Sequence, residues 1–61
     1  MDAYTIAVFK LLKDNLESYL DFVNKEMERV KEIDIDDYYR FFPIANGLFN
    51  TLADINRALE E

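Results

Sequence analysis

Phe9, Leu16, Val23 and Val30 recur every seven residues, and Leu12, Tyr19 and Ile33 fall between them at spacings of three and four. Residues three and four apart share a helix face, so this rhythm marks one apolar stripe on an α-helix. No Gly or Pro interrupts residues 2–33. The pattern predicts one long helix over about residues 2–33, roughly 45 Å in length, with Asp2 as its N-cap. Ile6, Leu20 and Met27 form a second apolar line beside the stripe and Phe22 a third. That arc is wider than one partner helix covers.

The intervening positions Lys10, Lys13, Asp14, Glu17, Ser18, Asp21, Lys25, Glu28 and Lys31 read as a solvated face of alternating charge. Lys10/Asp14, Lys13/Glu17 and Asp21/Lys25 stand four apart, a spacing at which an ion pair adds a few tenths of a kcal/mol.

A second rhythm, Tyr38, Phe41, Ala45, Leu48, Leu52, Ile55 and Leu59, predicts a second helix over about residues 36–59. Its phase survives Pro43. Proline removes a helical hydrogen bond and crowds the preceding turn, so the helix is expected to kink there or to divide into segments of about 36–42 and 43–59. Gly47, Thr51 and Ala58 put small residues beside the stripe, as though another backbone came close. The fold expected is all-α: a single small helical domain over residues 1–61, folded as a hairpin of two helices.

The corner between them, Asp34-Ile35-Asp36-Asp37-Tyr38-Tyr39-Arg40-Phe41-Phe42-Pro43, holds four of the nine aromatics and three of the thirteen acids. Asp34 or Asp36 suits a helix cap, and acids in a first turn are favoured by the helix dipole. A calcium loop beginning at Asp34 is excluded, because its sixth position is Tyr39 rather than Gly and its twelfth is Ala45 rather than Glu.

With 61 residues, the chain buries only about 60% of the surface its unfolded form exposes. The usual reinforcements at this size are disulfides, metals or association. The chain has no Cys and no His, which leaves association. Ile6, Leu20, Phe22 and Met27, with Phe42 and Phe49 seven apart on the second helix, are expected to stay wet in a lone hairpin, and Ile6, Leu20, Phe22, Met27 and Phe49 to form the interface of a homodimer, completing a four-helix bundle.

Composition narrows the function further. At 51% hydrophobic and 15% aromatic the chain is too apolar for an acidic disordered segment. It carries neither a signal-peptide pattern nor an apolar run long enough for a membrane span, and the expectation is a complete, soluble, cytoplasmic gene product. A net charge of −6 argues against direct nucleic-acid binding and against anionic membranes. Without Cys or His, nucleophilic triads and His-containing di-metal sites are out of reach. No enzyme, metal or cofactor is expected.

What remains is binding. Tyr38, Tyr39, Arg40 and Phe42 are the anchor types that most often carry interface energy, with Asp34, Asp36 and Asp37 as an acidic rim for a protein partner with a basic surface. The reading is a small regulator or inhibitor occupying a site on a larger protein, of the kind phages and mobile elements encode. Two alternatives stand beside it. One is an acidic mimic of nucleic acid, for which the charge is unevenly placed: residues 1–33 carry five bases and seven acids, residues 34–61 two bases and six acids. The other is a structural subunit of a larger helical assembly.

Overall fold

The Asp2 side chain accepts a hydrogen bond of 2.7 Å from the Thr5 backbone N–H, and its carbonyl accepts from Ile6 at 3.1 Å. Asp2 is therefore the N-cap of the first helix, α1, which runs Ala3–Lys31. The computed structural model describes residues 1–60. The Thr5 hydroxyl and backbone N–H beside the Asp2 carboxyl hold its pKa below the ordinary value. A lowered folded pKa stabilises above the unfolded pKa and is lost as pH falls through the folded one. Asp2→Asn, which keeps an acceptor at the cap but cannot titrate, should flatten the acid limb of a helicity-against-pH curve.

The chain turns through Glu32, Ile33 and Asp34 without any left-handed residue. The Val30 carbonyl accepts from the N–H groups of Ile33 at 3.0 Å and Asp34 at 2.7 Å, closing the end of α1. Asp34 then caps the second helix, α2, which runs Ile35–Glu60. Its carboxylate accepts from the Asp36 N–H at 3.0 Å and its carbonyl from Tyr38 at 3.1 Å. Of the two candidate caps, Asp34 is the one used, and Asp36 and Asp37 fall in the first turn.

α1 thus ends two residues before the sequence suggested, and Ile33 belongs to the turn, 72% exposed. α2 is one element, not two: it passes through Pro43 without interruption. Pro43 has no N–H for the carbonyl of Tyr39 four residues earlier. Pro43→Ala restores that bond on an exposed position and should raise stability by about 2 kcal/mol, read as a shift of the urea midpoint.

The two helices form an all-α hairpin measuring 47 × 14 × 12 Å, with no strand among the described residues. On α2 the inward stripe is as the sequence implied, with Leu52 and Ile55 buried and Tyr38, Phe41, Ala45, Leu48 and Leu59 half-buried. On α1 the stripe is Ile6, Phe9, Lys13, Leu16, Leu20, Val23, Met27 and Val30, of which Val23, Met27 and Val30 are buried and the rest half-buried. Leu12 and Tyr19, expected inside, are 43% and 56% exposed.

The reason lies in the heptad itself. Phe9, Leu16, Val23 and Val30 can be completed on either side. One choice adds Leu12, Tyr19 and Glu26; the other adds Ile6, Lys13, Leu20 and Met27. Each brings one charged residue into the stripe, so pattern alone does not separate them. Packing against α2 selects the second, and Met27 moves from the expected outer line into the core.

Of the three charge pairs read at spacing four, Asp21 and Lys25 close at 2.9 Å. Lys10/Asp14 and Lys13/Glu17 do not close among the described residues. Glu26–Arg29, Asp37–Arg40 and Asp54–Arg57 pair at spacing three instead. Nothing lies within 4 Å of where a Cβ on Gly47 would stand. The expected close backbone is absent from this hairpin, and Gly47→Ala should stabilise it by roughly 0.5–1 kcal/mol, seen as a higher thermal midpoint.

The accessible surface is 4745 Å², against about 4,200 Å² for a compact monomer of this mass. Five hydrophobic side chains are buried and none of the described ones is fully enclosed. A two-helix layer has an inside only along its seam, so both flanks stay open.

Candidate functional site: two flanks of the hairpin

Residues of α2 at spacings of three and four from Ile35 lie beside its inward stripe. This line reads Ile35, Tyr39, Phe42, Asn46, Phe49 and Ala53. Tyr39 is 60% and Phe49 64% exposed, with Ile35 and Phe42 also open to solvent. The rings of Tyr38, Tyr39 and Phe42 form one cluster: Tyr38 meets Phe42 edge-on at 4.9 Å and Tyr39 at 5.5 Å, while Tyr39 and Phe42 stand 5.7 Å apart. Such geometry adds to burial energy and stiffens the rings. The Lys31 ammonium lies 5.7 Å from the Tyr38 ring centre, a cation–π distance.

Below this cluster a shallow groove of about 240 Å³ runs along the seam, lined by Leu20, Asn24, Met27, Phe42, Ala45, Asn46 and Phe49. It is apolar at its floor and carries two amides, Asn24 and Asn46, as its polar groups. An amide can both donate and accept, which suits a backbone or a side-chain amide of a partner.

The other flank has a different character. A groove of about 380 Å³ lies between Arg29, Val30, Asp37, Arg40, Phe41 and Ile44. Its charges are already engaged: Arg29 donates two hydrogen bonds to Glu26, at 3.1 and 2.7 Å, and Arg40 donates to Asp37 at 3.1 Å. Glu26, by hydrogen bond and by charge, raises the pKa of Arg29.

The seven residues expected to bind a partner are therefore divided. Tyr38, Tyr39 and Phe42 come together on the first flank. Arg40 and Asp37 stand on the second, paired with each other. Asp34 is engaged as the cap and Asp36 remains exposed in the first turn.

The five expected dimer residues are divided as well. Met27 is covered by the hairpin itself and Ile6 and Leu20 are half-buried. Phe49 lies in the first groove. Phe22 stands seven residues before Arg29, hence on the second flank, and is 59% exposed. Phe42 and Phe49, seven apart and expected to stay wet together, are both exposed and line the same groove.

No group of His, Cys, Asp and Glu among the described residues is placed to hold a metal ion, and no helix there is long and apolar enough to cross a membrane. The fold defines the chain as an all-α helical hairpin. No protein-family model matches it, and neither a curated protein nor a solved structure matches it.

Proposed function

We propose that the chain is a non-enzymatic protein-binding module that docks on a larger protein through the outer aromatic line of α2. The observation that carries this reading is the ring cluster of Tyr38, Tyr39 and Phe42, which continues along the helix to Phe49 and of which Tyr39, Phe42 and Phe49 are exposed. Large rigid rings held open in this way supply contact area with little entropy to lose.

Glu32, Asp34 and Asp36 lie at the corner between the helices, and the whole chain is at −6. A partner with a basic rim around an apolar cleft complements that arrangement, and the charge raises the encounter rate more than the final affinity. The role that follows is regulation or inhibition by occupying a site, in the cytoplasm of a host cell.

An acidic mimic of nucleic acid finds less support. The corner acids Asp34, Asp36 and Asp37 sit at one end of α2, while Asp54 and Glu60 sit toward the other. Glu61, also expected in such a row, lies outside the described residues.

The test is affinity capture with the tagged chain followed by mass spectrometry, run beside Tyr39→Ala/Phe49→Ala and beside Arg40→Ala. The expected result is a protein retained by the native chain and by Arg40→Ala and lost with the double variant. Equal retention by all three, or repeated failure to retain any protein, overturns the proposal.

A further inference from the structure

On the second flank, α1 presents Tyr4, Val8, Leu11, Leu12, Asn15, Ser18, Tyr19 and Phe22 as one continuous strip. These positions recur at spacings of three and four, about a third of a turn from the inward stripe. Its six large side chains are exposed by 80% at Tyr4, 42% at Val8, 64% at Leu11, 43% at Leu12, 56% at Tyr19 and 59% at Phe22. The strip contains no charged residue, although a third of the chain is charged. It ends where the Glu26–Arg29 ion pair begins.

We infer that this strip is where a second copy of the chain docks, α1 against α1, in an antiparallel twofold pair. Two arguments select that occupant. The first is electrostatic. Each copy carries −6, so copies repel wherever acids face acids, and a charge-free strip is the surface across which they can approach. A basic partner would gain nothing from such a strip and would favour the acidic corner instead.

The second argument is area. Taking whole side chains at ~150–200 Å², the six exposed residues offer roughly 650 Å² per copy. Complete coverage of both strips would bury roughly 1,300 Å², at the lower end of the ~1,200–2,000 Å² of stable interfaces. An antiparallel twofold contact is self-complementary. It sets Tyr4 of one copy near Phe22 of the other and brings the middle of the strip, around Leu12 and Asn15, close to its own symmetry mate. The two α1 helices become the inner pair and the two α2 helices the outer. This assembly leaves Tyr39, Phe42 and Phe49 on the opposite flank uncovered, so it does not rest on the proposed partner binding and fails separately from it.

Sedimentation equilibrium at tens of micromolar tests the pairing. The native chain should give the mass of two 7.3 kDa copies. Leu11→Glu places a carboxylate from each copy in the contact and should weaken association on the order of 100-fold, while Phe49→Glu should leave the mass unchanged. Because the chain has no cysteine, Asn15→Cys with a short bismaleimide should give a covalent dimer in high yield. Asn46→Cys, on the other flank, should not. The cross-link reads the contact even where Leu11→Glu loses helicity. A native mass of one copy or of more than two overturns the inference. So does a dimer that survives Leu11→Glu and is lost with Phe49→Glu, or cross-linking through position 46 rather than 15.

Discussion

Ile55→Ala is expected to unfold most of the chain at 25 °C, and Leu52→Ala to do the same. Removing a buried Leu or Ile side chain takes away about 2–5 kcal/mol through lost transfer energy and the cavity left behind. A core in a chain of this size rarely supplies more than ~3–5 kcal/mol. One such truncation therefore removes a large share of the total. Among the described residues only Val23, Met27 and Val30 on α1 and Leu52 and Ile55 on α2 are buried, so no other packing among them compensates. Far-ultraviolet circular dichroism should show the loss directly. Leu11→Ala, on an exposed site, should keep the native spectrum in the concentrated sample.

Tyr39→Ala/Phe49→Ala is expected to weaken partner binding by at least 30-fold, which corresponds to the ~2 kcal/mol that defines a hot spot. Both side chains are more than half exposed, and both positions lie off the inward stripe. The helical signal and the unfolding midpoint should therefore stay close to native. Titration of the captured protein by calorimetry measures the change. The salt response separates the forces involved. A docking site built on rings should lose only modest affinity between low and physiological salt, whereas an acidic row imitating phosphates should lose it steeply.

The contrast with Arg40 shows where sequence reasoning reached its limit. Tyr39 projects to one side of the inward stripe and Arg40, about 100° further round the helix, to the other, where it pairs with Asp37. A run of anchor-type residues in sequence is for that reason not a patch in space. The legible feature was periodicity: Phe42 and Phe49 are seven apart and do share a face. On α2 the inward stripe could be read in full because Phe41, Leu48 and Ile55 complete Tyr38, Ala45, Leu52 and Leu59 with apolar side chains throughout, whereas the line of Phe42 and Phe49 continues to the polar Asn56.

On α1 two completions compete, and the choice depends on which side α2 packs. That is a tertiary fact, absent from the local pattern. Its consequence reaches function, because the rejected line of Leu12 and Tyr19 joins Tyr4, Val8, Leu11 and Phe22 to make the exposed strip. Pro43 was legible as a disturbance, with a kinked single helix and two segments both open, and the helix is a single element through it. Its ring stands on an exposed face, where the crowding meets solvent rather than the core, and helix on both sides continues the same inward stripe.

The hairpin buries one seam and leaves two apolar flanks, and under the proposed pairing its stability depends on a second polypeptide covering one of them. The concentration dependence of thermal unfolding tests this most directly, since association with the folded form alone raises the midpoint by mass action. The expected result is a midpoint that climbs steadily as the protein is raised from about 1 to about 100 μM. A midpoint that stays constant over that range, with full helicity at the lowest concentration, would contradict it.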